Sequence, residues 1–153
     1  MKQIKLALIF CTTFLMLSVH AEPYDDESKK KALEKIEANK EYTQKAIELA
    51  ELTGNEVNKI HAQNVEVIYE VTAKCIVSSQ SATEDDVCYI KGLKVLAEKD
   101  NPAAMHFLGN IMEQYKNYTS AIEWYTKSLA SKNLPGWYKD RVEEDLERAK
   151  SKV

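Results

Sequence analysis

Set against itself with an offset of 36 residues, the chain superposes without a gap: Tyr69 falls on Met105, Ala73 on Gly109, Ile76 on Met112, Tyr89 on Tyr125, Lys91 on Lys127 and Leu93 on Leu129. An internal period of this size marks stacked supersecondary units, each of which buries its apolar face only against a neighbour. The later copy is the clearer one. Met105-His106-Phe107-Leu108-Gly109-Asn110-Ile111-Met112 followed by Ala121-Ile122-Glu123-Trp124-Tyr125-Thr126-Lys127-Ser128-Leu129 reads as one helix-turn-helix unit. Two stacked units are expected, and units of this kind present surfaces rather than carry chemistry.

The punctuation agrees with a helical chain. Only four glycines and three prolines occur in 153 residues, and no segment alternates apolar and polar residues for long enough to make a strand. From Glu27 the pattern is helical until Thr53-Gly54-Asn55, where glycine suits a helix C-terminus. Whether Ala38-Asn39-Lys40-Glu41 divides that segment is left open by the sequence; residues 27–54 read as one helix or as a degenerate hairpin. Asn55 is placed to cap the next helix, whose stripe Val57, Ile60, Asn64, Ile68, Val71 and Cys75 steps three or four at a time. Thr83 is the expected cap of the following helix, and Glu84, Asp85 and Asp86 in its first turn suit the helix dipole. Asp100-Asn101-Pro102, Asn117 and Leu134-Pro135-Gly136 separate the remaining helices. The last runs from Trp137 to about Lys150 with a narrow stripe of Tyr138, Val142, Leu146 and Ala149, as suits the cap of a stack.

The amino terminus speaks to the compartment. Lys2 and Lys5 precede an apolar run over residues 6–19, and Val19-His20-Ala21 supplies small residues at the spacing of a cleavage site. Residues 1–21 read as a secretory signal peptide, too short to serve as a membrane span of roughly 20 residues, with Glu22 as the mature start and residues 22–26 as a polar leader. Residues 27–153 then form one domain, and no stable membrane anchor is expected after cleavage. Loss of Lys2 and Lys5 leaves 19 basic residues against 24 acidic ones, a net charge of −5. Such a surface has no electrostatic reason to collect nucleic acid. Cys75 and Cys88 remain in the mature chain on either side of the Ser78-Ser79-Gln80-Ser81 turn, and in an oxidising compartment a disulfide is the default reading. A short secretory signal on a chain of this kind suits the periplasm of a Gram-negative bacterium, or secretion.

Residues 105–135 resemble the tetratricopeptide repeat: Met105, Leu108, Gly109, Met112, Ala121, Tyr125 and Pro135 occupy its characteristic places, with Met112 where an aromatic is usual. The Trp124-Tyr125-Thr126-Lys127-Ser128 run is similar to the Sel1-like branch of that family. The resemblance covers residues 69–135 and implies an all-α fold, a short right-handed α-solenoid of antiparallel helix hairpins, with units at 55–100 and 102–133, an N-terminal helix and a C-terminal cap helix at 135–150. It further implies that a protein or peptide partner lies along the concave face made by the first helix of each unit. Carried over residue by residue, the contacts are His106, Asn110 and Glu113 from the later unit, Glu70 and Lys74 from the earlier one, and Lys139 from the cap helix.

No catalytic, cofactor or metal role is expected: His61 and His106 show no metal-ligand spacing, and no strained serine turn occurs. A zinc site would have to recruit Glu66, Glu70 or Asp85. The leading function is a secreted or periplasmic protein-interaction module. The alternatives are an immunity protein that neutralises a toxin acting on the cell wall and, last, a Sel1-like cell-wall or β-lactam hydrolase.

Overall fold

The computed structural model describes residues 25–153. The expected signal peptide at 1–21 and residues 22–24 of the polar leader lie outside the described residues. Within them the chain is all-α: α1 Asp26–Leu52, α2 Glu56–Ser78, α3 Ala82–Glu98, α4 Pro102–Gln114, α5 Tyr118–Ala130 and α6 Gly136–Lys150, with no strand among the described residues. The segment left open by the sequence is a single uninterrupted helix, α1. Its acid-base pairs one turn apart, Lys31 with Glu27 and Lys45 with Glu41, both at 2.7 Å, support its solvated face.

Three of the five corners are built alike. Gly54, Asp100 and Lys116 take the left-handed conformation at φ 65°, 59° and 57°, and each is followed by an asparagine that caps the next helix. The Asn55 side chain accepts from Asn58 N at 3.1 Å, Asn101 from Ala104 N at 2.9 Å and Asn117 from Ser120 N at 3.2 Å. The backbone N–H of each asparagine closes the preceding helix, donating to Ala50, Leu96 and Met112 carbonyls respectively, while Gly54, Asp100 and Lys116 donate to Glu51, Ala97 and Glu113. Left-handed residue and asparagine thus satisfy the last carbonyls of one helix and an early amide of the next within two positions. The α2–α3 corner differs. Ser81, not Thr83, is the cap, accepting from Glu84 N at 3.2 Å, because α3 begins two residues earlier than the acidic run suggests.

Successive helices pack against one another, and α2 also meets α4 and α4 meets α6. One apolar cluster joins Ile36 of α1 to Val65, Ile68, Tyr69 and Ile76 of α2, Tyr89, Leu93 and Leu96 of α3, and Ala104, Met105, Phe107 and Leu108 of α4. A second joins Ala121 and Tyr125 of α5 to Tyr138, Val142, Leu146 and Ala149 of α6. The stripe expected on α2 is rotated: Val57 is exposed, and the buried face runs through His61, Ala62, Val65, Ile68, Tyr69, Cys75 and Ile76. On α3, Val87 is exposed and the buried face runs through Tyr89, Leu93, Leu96 and Ala97.

Helix contact is closest at two glycines. Gly109 of α4 seats the Tyr125 ring of α5, so that a Cβ there would run into ring carbons Cε1 and Cδ1. In the upstream hairpin the small residue is on the other helix: Gly92 of α3 receives Val71 of α2, where the offset of 36 pointed to Ala73. Cys75 and Cys88 are bridged, with Cα atoms 5.6 Å apart, tying the end of α2 to the start of α3. Closing this short loop contributes about 3 kcal/mol in the chain-entropy account.

Two substitutions should move stability in opposite directions. Lys116→Gly relieves a left-handed lysine and should stabilise the fold by about 0.5–1 kcal/mol. Gly109→Ala should destabilise it by about 1–3 kcal/mol, overpacking against Tyr125 outweighing the better helix propensity. Urea unfolding followed by circular dichroism reads both; a neutral or stabilising Gly109→Ala would show that the tyrosine seat yields.

Candidate functional site

Between the two apolar clusters runs a chain of polar side chains from α4, α5 and α6. The imidazole of His106, wholly buried on α4, lies 2.6 Å through Nδ1 from the Tyr138 hydroxyl and 2.6 Å through Nε2 from Asp145 Oδ2. An ionised carboxylate only accepts, so Nε2 carries a proton and, in the neutral ring, Nδ1 accepts from Tyr138. Asp145 is 2% exposed. Its Oδ1 accepts from Arg148 Nη1 at 2.5 Å, and Arg141 Nε stands 3.5 Å from Oδ2. Arg148 in turn grips Glu113 of α4 through Nε and Nη2, both at 2.8 Å, a forked pair that fixes the α4–α6 register. The Tyr125 hydroxyl lies 2.9 Å from Glu113 Oε2 and 2.7 Å from Asn110 Oδ1. A phenol has one proton to give; turning the Asn110 amide so that Nδ2 faces the phenol oxygen supplies every group with a partner.

The charges in this chain are mutually held. Burial works against the Asp145 anion, but the His106 hydrogen bond and the Arg148 guanidinium prevail and keep its carboxyl below the usual range. The Arg148 hydrogen bonds likewise hold Glu113 down. Tyr125 is driven upward, first by burial and then by its bond to Glu113, so its hydroxyl stays protonated. With both nitrogens occupied and the ring enclosed, the His106–Asp145 pair is bonded inward rather than presented to a bound molecule.

His61 of α2 is a different case. It is 2% exposed, and neither Nδ1 nor Nε2 has a hydrogen-bond partner. Its ring meets the first turn of α6, edge-on to Trp137 with centroids 5.2 Å apart and tilted against Tyr138 at 4.4 Å. Burial, and then the neighbouring His106, push its pKa down to about 4. Beside it, Trp137 Nε1 donates to Asn58 Oδ1 at 3.1 Å.

The six residues expected to line a concave face are thus dispersed. Glu70 and Lys74 are exposed on α2. His106 is not a groove residue at all: it faces α6 and is sealed by Tyr138 and Asp145. Asn110 and Glu113 are half-buried and bonded to Tyr125 and Arg148. Lys139 is exposed, 3.6 Å from Glu143 on its own helix. The cause is packing: α6 lies against α4 through Tyr138, Asp145 and Arg148. His61 was weighed only as a catalytic or metal-ligating residue, and Asp145 and Arg148 were not singled out, although Asp145 falls seven residues after Tyr138 and three after Val142, inside the buried stripe of α6. His61 sits four before Val65 in the same way. Among the described residues no cluster of three or more potential metal ligands occurs, even though both histidines converge on Tyr138. A further open depression on α3 is lined by Thr83, Glu84, Val87, Cys88 and Lys91.

Comparison with protein-family models, with curated proteins and with solved structures gives no match to this chain.

Two stability measurements follow from these environments. Asp145→Ala should cost about 3–5 kcal/mol, since it leaves the enclosed His106 Nε2 without its acceptor and removes the buried partner of Arg148; a loss below about 1 kcal/mol in urea unfolding would contradict the buried-pair account. The pH profile should fall in two stages. For His61 the folded pKa of about 4 lies below the unfolded value of about 6.5, so its contribution is complete above pH 6.5 and is lost as pH falls toward 4. That stage amounts to about 3 kcal/mol. Asp145, whose folded pKa is depressed, contributes above its unfolded value near 4 and is lost only as pH falls further. A stability curve flat from pH 7 to pH 4.5 would refute the first stage.

Proposed function

We propose that the chain is a secreted or periplasmic protein-interaction module, a short α-solenoid of the tetratricopeptide/Sel1-like kind that holds a peptide or protein segment along its α2 face. The observation that carries the reading is the order of contacts: α2, α4 and α6 meet in series while α3 and α5 are the intervening partners, the arrangement of first and second helices in stacked hairpins. Because α6 covers α4, the part of that face open to a partner is α2. There Gln63, Val67, Glu70, Lys74 and Val77 recur three or four residues apart and are all exposed. The strip offers two apolar contacts flanking an acid and a base, a composition suited to a mixed peptide rather than to nucleic acid or lipid.

A hydrolase needs a group that meets its substrate, and both described histidines are enclosed, which favours binding over catalysis. The disulfide is compatible with an oxidising compartment.

Photo-crosslinking amino acids at positions 70 and 74 should capture a partner in extracts of the native compartment, whereas position 123, on the far side of α5, should not. Val67→Asp with Val77→Asp should weaken that capture at least tenfold, about 1.4 kcal/mol, with an unchanged unfolding midpoint. Equal capture from position 123, or none from the α2 strip, would remove the basis for this reading.

A further inference from the structure

We propose that His61 is an acid-sensitive latch whose protonation releases the first turn of α6 from α2 while α1 to α5 remain folded. Four features of the seam combine to make the latch. His61 is an enclosed imidazole with two unsatisfied nitrogens, so a proton arriving there finds no acceptor. Both rings that close over it in the seam, Trp137 and Tyr138, belong to the first turn of α6. That turn is weakly secured at its origin: its cap is Pro135 and no side chain caps it. The indole of Trp137, itself exposed, holds on to α2 through one hydrogen bond to Asn58.

The other elements are less free to yield. α2 packs along α1 and is joined to α3 by the Cys75–Cys88 bridge, and α4 is buried from Pro102 to Gly109. Hydrating the His61 ring by lifting α6 therefore disturbs less apolar contact than moving α2 or α4 would.

The groups facing the latch reinforce its sense. On α4 the neighbour is His106, which disfavours the charged form of His61. On α6 it is Tyr138, whose hydroxyl is directed to His106 Nδ1. The Asp145 carboxylate is engaged with His106 Nε2, Arg148 and Arg141. On α2 itself the nearest charged side chain in sequence, Lys59, is paired with Glu51 of α1 at 3.1 Å. None of these supplies a counter-ion to a protonated His61, whereas opening the seam lets water hydrate it. His106 by contrast has a partner on each nitrogen, which makes His61 the one of the two that opens the seam.

Residue-resolved hydrogen exchange on the purified protein tests this. After correction for intrinsic rates, amides of residues 138–142 should lose about twentyfold in protection between pH 7 and pH 5, and that exchange should be insensitive to low urea because the opening exposes little surface. Amides around Leu93 of α3 should retain the steep urea dependence of global unfolding. In His61→Phe and His61→Gln the α6 amides should keep their pH 7 protection at pH 5; the second variant keeps a polar side chain at the site if the first repacks it. Urea-sensitive exchange in 138–142 matching that of α3 would mean that the opening is global and would overturn the proposal. So would an unaltered pH response in the two variants.

Discussion

The fold rests on the seat of Tyr125 against Gly109. Because no Cβ intervenes, the ring of α5 lies directly on the backbone of α4, and the two helices come close enough for α4 to be enclosed from Pro102 through Gly109. An enclosed helix then has to be covered on its other sides, by α2 and α3 through one apolar cluster and by α6 near the other. The same ring sends its hydroxyl to Asn110 and Glu113, so the contact that sets helix spacing also begins the polar chain leading to Arg148 and Asp145.

That polar chain is a costly choice for a small core. Burying the Asp145 carboxylate carries a desolvation penalty that an apolar residue would avoid, and pairs of this kind add little net stability over a well-packed hydrophobe. What they impose is geometry. A forked Arg148–Glu113 pair and a two-sided His106 bind α6 to α4 at defined positions along both helices, where the sliding of smooth apolar faces would be far less penalised. His61 is the counterpoint in the same seam: a polar ring with no hydrogen bond to enforce a register, held by shape alone.

Much of the architecture was readable in the residues. Glycine and asparagine at Gly54-Asn55, the Asp100-Asn101-Pro102 boundary and the stripe of α6 gave helix ends and core positions because they act locally. The disulfide was readable because two cysteines flank one turn. The details that went astray depend on rotation about a helix axis. Val57 and His61 are one turn apart on α2, and periodicity with apolar residues alone placed the former inside; the aromatic first turn of α6, distant in sequence, decides for His61. For the same reason His106 was assigned to an open face. A helix that closes over that face from 32 to 39 residues downstream leaves no mark on the segment around His106 itself.

The recurring corner has a consequence for how such a chain can grow. A stretch that begins with the capping Asn55 and ends with the left-handed Asp100 carries both halves of the joint, one at each end. Copied in tandem, it would rejoin as Asp100 followed by Asn55, which is again a left-handed residue before a capping asparagine. The span from Asn101 to Lys116 has the same property. At the level of the backbone, then, the joint is reusable: a copy of either span, one holding α2 and α3 and the other α4 alone, would meet its neighbour through the same turn.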